Sequence, residues 1–190
     1  MKSVLISIQP KWCELIAAGE KTVEVRKTKP KLETPFKVYI YCTKGKFEPS
    51  EYLRNNLHYD DSTIRVCEGQ GKVIGEFVCD CMTSLKADNM IQAYYNNTKE
   101  TCLTDEEIKQ YANNGKLFYW HISDLVIYDK PRELSEFKKP CICKDEYEGE
   151  EYCDCLNCDL AGDSDYGIIA CDRKITRPPQ SWCYVEGSEI

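Results

Sequence analysis

The chain has 190 residues, of which 42% are hydrophobic and 30% charged, and its formal net charge is −7. This length fits one domain with a real hydrophobic core, and no apolar run approaches the roughly 18 residues that a membrane span requires. The first ten residues carry no small-residue cleavage site, so we expect a soluble cytoplasmic protein without a signal peptide.

The charge is unevenly distributed along the chain. Residues 1–54 hold 11 Lys or Arg against 6 Asp or Glu, whereas residues 140–190 hold 4 against 12. The acidic total argues against a bulk DNA coat, but the basic N-terminal part is compatible with a nucleic-acid or nucleotide partner.

In chain order, the predicted elements begin with a strand in SVLISI and a helix in PKWCELIAAG. Pro10 suits the first turn of that helix, and Gly19 suits its C-terminal cap. TVEVR is the second predicted strand, and the basic loop KTKPKLETP follows it. Residues 36–42 and 71–82 are rich in β-formers and predict two more strands, with Gly75 marking a bulge in the second.

The second half of the chain continues this mixed pattern. ADNMIQAYYNN predicts a helix, and Thr104 and Glu107 fit a capping box that opens another. LFYWHISDLVIY predicts one long strand, and WCYVE predicts a short closing strand. Because strands outnumber helices without regular βαβ spacing, we expect an α+β fold: a small mixed β-barrel with peripheral helices.

The run GEKTVEVR carries the first candidate site. In a strand, Val23 and Val25 point to one face, while Thr22, Glu24 and Arg26 point to the other. Such alternation is typical of a half-buried strand with a solvated outer face. The alternative interpretation is a polar binding site.

Residues 140–175 differ in character, because they are acidic, crowded with Cys and Gly, and without a sustained apolar period. The spacing of Cys155 and Cys158 lets two thiolates meet one tetrahedral ion, so we expect a structural zinc site in this insertion. The expected ligands are those two with Cys171 and one of three others, Cys141, Cys143 or Cys153, of which Cys141 is favoured. The alternative is an acidic loop with incidental thiols. The other cysteines are interpreted as small core residues: Cys13, Cys42, Cys67, Cys79, Cys81, Cys102 and Cys183.

The closing segment ITRPPQSWCYVE is the second candidate site. Its two prolines restrict the loop, so Arg177, Gln180, Ser181 and Trp182 would be presented with little conformational freedom. Arg offers a fork for phosphate, Gln an amide for a base edge, and Trp a stacking surface. The alternative is a rigid turn leading into an edge strand. Elsewhere, GQGK predicts a hairpin turn rather than a phosphate loop, and His121 is interpreted as a structural strand residue.

The opening strand, helix and GEKTVEVR run resemble the ASCH domain, a small relative of the PUA RNA-binding fold. The family signature, approximately G-x-K-x-x-E-x-R, corresponds to Gly19, Lys21, Glu24 and Arg26. WHISDLVIYDKP and TRPPQSWCYVE look like segments of short phage-type ASCH proteins. The resemblance implies an ASCH domain in residues 1–139 and 176–190, with residues 140–175 inserted.

What the resemblance implies about function is a cleft beside the first helix, which carries Trp12, and a ligand that is RNA or a modified nucleoside. Some family members are enzymes, among them ribonucleases and an amidohydrolase that acts on N4-acetylcytidine with a lysine, a threonine and a glutamate. Lys21 matches that lysine, but Glu24 occupies the position of the threonine nucleophile, and Glu100 is a candidate for the glutamate. The departure at Glu24 puts the amidohydrolase role in doubt.

Three functions are therefore expected, in this order. The first is a module that binds RNA or a modified nucleoside through eight residues: Trp12, Lys21, Glu24, Arg26, Arg177, Gln180, Ser181 and Trp182. The second is a hydrolase, a ribonuclease or an amidohydrolase, with Lys21 and Glu24 as catalytic residues. The third is an interaction protein whose acidic Cys-rich segment docks a protein partner.

Overall fold

The computed structural model describes residues 2–45, 69–86, 99–140, 144–147, 150–153 and 173–187. Within these ranges the chain forms ten strands, two α-helices and one short 3-10 helix, Leu134–Glu136. The helices are α1 (Pro10–Ala17) and α2 (Asp105–Ala112). The strands are β1 (Lys2–Ile8), β2 (Val23–Arg26), β3 (Phe36–Cys42), β4 (Val73–Cys79), β5 (Met82–Lys86), β6 (Lys116–His121), β7 (Ser123–Arg132), β8 (Lys144–Tyr147), β9 (Glu150–Cys153) and β10 (Trp182–Glu186).

Both described helices have the ends that the sequence predicts. Pro10 begins α1, and Gly19, just beyond the C-cap, has a φ of +74°, a conformation that glycine adopts without steric cost. Thr104 Oγ1 accepts from the backbone N–H of Glu107 at 3.2 Å, and Glu107 Oε2 accepts from that of Thr104 at 2.8 Å. The capping box of α2 is thus confirmed. The helix predicted in residues 87–97 lies outside the described residues.

The expectation of one long strand in residues 117–128 is wrong. The chain changes partners at Ile122: β6 pairs with β2 and β5, whereas β7 pairs with β4. The backbone N–H of Ile122 bonds to the carbonyl of Thr22 at 2.8 Å, and Asp124 has a φ of +46°. The strand prediction failed because period-two alternation continues across a point where the sheet partner changes.

The strands form two main sheets, and the expectation of a closed β-barrel is wrong for the described residues. The larger sheet has the order β10-β1-β3-β4-β7, with β1 and β3 parallel and the other pairs antiparallel. The smaller has the order β2-β6-β5, and β8 pairs with β9 alone. No described ladder joins the two sheets, so their edges stay unclosed. The α+β class holds.

The core lies on both faces of the larger sheet. Alternate residues of β1 belong to different clusters: Val4, Ile6 and Ile8 pack with α1 and with Trp120 of β6, whereas Leu5 packs on the opposite face. A third cluster places β2 and β6 against α2. Because both faces of β1 and β3 are covered, their sequences read as near-continuous apolar runs.

Gly75 marks an irregularity in β4, as predicted. The pairing with β3 passes from Gly75 to Val73 and omits Ile74. A Cβ at Gly75 would overlap the carbonyl oxygen of Val126 on β7, so glycine permits the close approach of these two strands. Residues 69–71 of GQGK form a turn directly before β4, but β3 ends at Cys42, so this turn does not join β3 and β4 as a tight hairpin.

The segment that follows β7 and the segment that precedes β10 lie next to each other. Lys138 and Lys174 form an antiparallel bridge, the backbone N–H of Lys139 bonds to the carbonyl of Arg173 at 2.8 Å, and that of Ile175 bonds to the carbonyl of Phe137 at 2.9 Å. The two ends of the segment between them are therefore adjacent. None of the described helices has the length and apolar character that a membrane span would need.

Candidate functional site

The two faces of β2 have different neighbours, as the sequence predicts. Val23 and Val25 pack with α2 and β6 in an apolar cluster. Glu24 and Arg26 lie opposite Trp120 and Phe118 of β6. They are nevertheless only 6% and 9% exposed, and Lys21 is 2% exposed. The polar face of β2 is therefore a buried charged cluster rather than a solvated outer face, which favours the binding-site interpretation.

Lys21 directs its ammonium group at acceptors within the protein. Its Nζ donates to the backbone carbonyls of Val23 at 2.7 Å and Thr101 at 2.8 Å. It also lies 3.4 Å from Glu24 Oε2 and 5.4 Å from the centroid of the Trp12 ring. These contacts match the three donors of a lysine, and they connect β2 to the chain at residue 101.

Glu24 lies between two cations. Its Oε2 faces Lys21, and its Oε1 lies 3.0 Å from Arg26 Nε. This second contact is an ion pair without hydrogen-bond alignment, since Arg26 Nε has no aligned acceptor. Each carboxylate oxygen keeps acceptor capacity beyond its one cationic neighbour.

Arg26 connects β2 to β1 and to the C-terminal loop. Its Nη2 donates to the carbonyl of Ser7 at 2.6 Å, and its Nη1 lies 3.5 Å from Ser181 Oγ, a weak hydrogen bond. Ser7 in turn donates its hydroxyl to the carbonyl of Pro179 at 2.6 Å and its backbone N–H to that of Ser181 at 2.9 Å. The loop before β10 is thereby fixed beside the charged cluster.

A cleft of about 800 Å³ opens over this cluster, a size typical of small-molecule sites. It is bounded by the end of β1, by α1, by the charged face of β2, by α2 and by the C-terminal loop. Its lining residues are Ser7, Ile8, Gln9, Trp12, Lys21, Glu24, Val25, Arg26, Lys27, Thr43, Leu103, Glu107, Gln110, Tyr111, Pro178, Pro179 and Gln180.

The side of the cleft that α2 forms was not predicted from the sequence. Glu107, Gln110 and Tyr111 line the cleft from α2, and their i, i+3 and i+4 spacing places them on one helix face. Tyr111 is 38% exposed, whereas most large hydrophobic side chains in the described residues are more buried. Lys27 Nζ lies 4.9 Å from the centroid of its ring. Burial of the phenol raises the pKa of Tyr111, with Arg26 opposing that change and Glu24 adding to it. The sequence signal that could have located these residues on one helix was the predicted capping box, which marks the start of α2.

The predicted site residues fall into two groups. Trp12, Lys21, Glu24, Arg26 and Gln180 line the cleft together. Arg177, Ser181 and Trp182 do not line the cleft, although Ser181 contacts Arg26.

Trp182 and Arg177 are the two that the structure places elsewhere. Trp182 packs against the main core, with its ring centroid 6.2 Å from that of Trp120, and its Nε1 donates to Thr28 Oγ1 at 3.0 Å. Arg177 is exposed. Glu100 is also exposed and outside the cleft lining, although its backbone carbonyl accepts from Thr22 N–H at 2.9 Å.

Six cysteines are free thiols: Cys13, Cys42, Cys79, Cys81, Cys102 and Cys183. Cys13, Cys42 and Cys79 are buried, as predicted; Cys102 and Cys183 are partly exposed; and the core interpretation is wrong for Cys81, which is exposed at the junction of β4 and β5. Cys67 and the predicted zinc ligands Cys141, Cys155, Cys158 and Cys171 lie outside the described residues. Among the residues that the structure does describe, no group of three or more His, Cys, Asp or Glu could hold a metal ion.

His121 lies at the surface, with its Nδ1 2.7 Å from Asp80 Oδ1. The hydrogen bond from the imidazole lowers the pKa of the Asp80 carboxyl. Neither residue lines the cleft, which agrees with the structural role expected for His121.

Comparison with solved structures identifies the same fold in an ASCH protein from Zymomonas mobilis. A single-residue variant of that protein matches with a TM-score of 0.50 and 15% identity, over 97% of this chain and 88% of that one. The parent structure matches with a TM-score of 0.44 and 17% identity, over 68% of this chain and 69% of that one. Comparison with curated proteins gave no significant match.

The family comparison covers most of the chain. The ASCH domain model matches residues 6–153, a range that runs from the last residues of β1 through β9 and includes the charged cluster on β2. The chain therefore belongs to the ASCH domain family.

Proposed function

We propose that the cleft binds a single unstacked nucleoside, either free and modified or within single-stranded RNA. One observation carries the proposal: the buried Lys21–Glu24–Arg26 cluster lines a cleft of about 800 Å³. Burying three charges is costly, so a buried ion-paired cluster that lines a cleft supports a role in preparing polar groups for a ligand.

The proposed recognition uses Glu24 as an acceptor and Arg26 as a donor. Lys21 is committed to Val23, Thr101 and Glu24, so its role is to hold the Glu24 carboxylate. The Glu24 oxygens retain acceptor capacity, and the Arg26 guanidinium has more N–H donors than its protein contacts use. An acceptor beside a donor matches the amino group and ring acceptor of cytosine.

Two aromatic side chains support the same ligand class. Trp12 lines the cleft from α1, and Tyr111 lines it from α2. Aromatic rings bind unstacked bases by stacking, which contributes about 1–3 kcal/mol per base. A flat heterocycle with one polar edge therefore suits this cleft.

The test measures the affinities of cytidine, N4-acetylcytidine, uridine and a single-stranded RNA that contains cytidine. We expect cytidine to bind at least about tenfold tighter than uridine, because uridine presents a carbonyl where cytidine presents an amino group. Glu24→Gln should remove this preference. Tyr111→Ala, at a partly exposed site, should weaken binding of every ligand while the fold is retained.

Two matched variants serve as controls. Glu106→Gln removes an exposed carboxylate from α2, and Val126→Ala removes an exposed apolar side chain from β7; neither residue lines the cleft. Equal affinities for all four ligands in wild type and Glu24→Gln would overturn the proposal. The comparison of the RNA with the free nucleosides shows whether the ligand is a base within RNA or a free nucleoside.

Hydrolysis is the second candidate function, and the position of Glu24 favours it. A carboxylate that lines a cleft and keeps acceptor capacity can act as a general base toward a bound ribose hydroxyl or a water. End-labelled RNA and N4-acetylcytidine are then the two substrates to incubate with wild type and Glu24→Gln. RNA cleavage or acetate release by wild type alone would establish catalysis.

For residues 140–175 we propose a structural zinc site with Cys141, Cys155, Cys158 and Cys171 as ligands, supported by the C-x-x-C spacing. Elemental analysis of the purified protein should give one zinc per chain, and Cys155→Ser should lower this content. Metal-free wild type would contradict the proposal. Docking of a protein partner through this acidic segment, and the division of the chain into domains at its ends, stay predictions.

A further inference from the structure

A second cavity, of about 700 Å³, lies next to the main cleft. Thr43 and Pro178 line both, so these two residues form the boundary between the cavities. The floor of the second cavity is apolar, because Leu134 and Ile175 belong to the core cluster on that face of the larger sheet. A ligand that fills the main cleft can therefore continue directly into this space.

The second cavity faces a net positive charge, because the one carboxylate among its described lining residues is neutralised in an ion pair. Its carboxylate, Glu133, lies 2.8 Å from Lys72 Nζ and is balanced by it. Lys44 also lines the cavity and has no ion pair with any other described residue. The cavity thus combines an apolar floor with one available ammonium group.

Gly71 fixes the path of the Lys44 side chain. A Cβ at Gly71 would lie 2.6 Å from Lys44 Cε and 3.1 Å from its Cγ, so the aliphatic part of Lys44 runs directly over the Gly71 backbone. This support limits the freedom of a side chain that would otherwise be fully mobile, and it lowers the entropy cost of holding an anion there.

We propose that the second cavity binds the nucleotide adjacent to the one whose base occupies the main cleft, and that Lys44 contacts the phosphodiester between them. This inference rests on the proposed function of the main cleft. A lysine ammonium binds phosphate as a point charge, and the apolar floor at Leu134 and Ile175 suits the face of a base. The ligand of the whole surface is then a single strand of RNA rather than a free nucleoside.

The test is a calorimetric comparison of cytidine with the two dinucleotides CpA and ApC. One of the two dinucleotides should bind wild type about tenfold or more tighter than cytidine, since the second nucleotide then binds intramolecularly. Lys44→Ala removes the proposed phosphate contact, and Ser135→Trp fills the cavity from its exposed rim. Both variants should lose the gain while cytidine affinity is unchanged. Lys130→Ala, an exposed lysine outside both cavities, should keep it.

The outcomes separate the second site from the first. Equal affinity of wild type for cytidine and both dinucleotides would overturn the second site and leave the main cleft intact. A gain that survives in both Lys44→Ala and Ser135→Trp would also overturn it. Failure of cytidine and of both dinucleotides to bind would overturn the proposed function itself and the inference with it.

Discussion

Lys21 illustrates how a buried charge is held when water is excluded. Its ammonium group donates to the carbonyls of Val23 and Thr101 and faces the Glu24 carboxylate, so it exchanges hydration for three protein acceptors. The same contacts connect β2 to the chain before α2. Lys21 is in this arrangement a positioning residue for Glu24, because its donors are already used within the protein.

Removal of this ammonium group should therefore destabilise the fold. Lys21→Met keeps most of the side-chain volume but leaves two buried carbonyls without their donor and removes one of the two cations beside Glu24. We expect a loss of about 3–5 kcal/mol in unfolding free energy. Denaturant unfolding checks the value. Lys130→Met, at an exposed position, should change stability by less than about 0.5 kcal/mol. Equal effects of the two substitutions would contradict the assigned role.

The described thiols should differ sharply in reactivity. Burial raises the pKa of Cys79 to about 12 and that of Cys13 well above the usual value for a thiol, so neither forms thiolate near neutral pH. Cys81 is exposed. Brief labelling of the native protein with iodoacetamide, followed by peptide mass spectrometry, should modify Cys81 and spare Cys13 and Cys79. Labelling of Cys79 at the rate of Cys81 would contradict the burial.

At the scale of elements, local signals predicted the start and end of α1 and the start of α2. Proline at the start of α1, glycine after its end and the Thr104–Glu107 capping box act within one helical turn, so the sequence alone indicates them. The division between β6 and β7 at Ile122 depends on which strand lies alongside. No pattern within residues 117–128 encodes that choice, and for this reason the prediction failed.

The basic loop after β2 is held in place by two residues of β10. Thr28 accepts from Trp182 Nε1 at 3.0 Å, and the backbone N–H of Lys31 donates to Tyr184 Oη at 2.6 Å. Two aromatic residues of β10 thereby hold this loop next to the cleft, which Lys27 lines. Three exposed lysines, Lys27, Lys29 and Lys31, are presented along it.

These lysines should contribute salt-dependent affinity for RNA. Replacement of all three by Gln should reduce the slope of log K against log salt by about 2, because each phosphate contact with single strands contributes about 0.7. Replacement of Lys2, Lys130 and Lys138, which are also exposed, changes the net charge equally and should leave the slope nearly unchanged. Filter binding of a short single-stranded RNA across a salt series makes the measurement.

At the scale of the whole molecule, composition and strand count indicated an α+β fold but not its closure. Closure of a barrel depends on pairing between the first and last strands of a sheet, which is a long-range property. Here β10 pairs with β1 and β7 with β4, so both edges of the larger sheet stay open among the described strands. Of the cleft residues, the sequence indicated Lys21, Glu24 and Arg26 on or beside β2, together with Trp12 and Gln180. The wall from α2 was missed because only the tertiary fold brings it there.

The antiparallel bridge between Lys138 and Lys174 leads to a prediction for the intact fold. The bonds of Lys139 to Arg173 and of Ile175 to Phe137 bring the two ends of the intervening segment together. A chain in which residues 141–172 are replaced by a short Gly-Ser linker should therefore retain its sheet, its cleft and its cytidine affinity. Circular dichroism and calorimetry check this. Loss of the native spectrum would show that the segment contributes to the core.

The hydrogen bond from Ser7 to Pro179 joins residues 172 positions apart, and Pro178, Pro179 and Gln180 line the same cleft as residues of β1 and β2. During synthesis the cleft is consequently complete only after residue 180 has left the ribosome and β10 has joined β1. Contacts of such sequence separation form late and slowly. A nascent chain that holds all of β2 thus displays the charged cluster without the loop that encloses it, and ligand affinity should arise with the final strand.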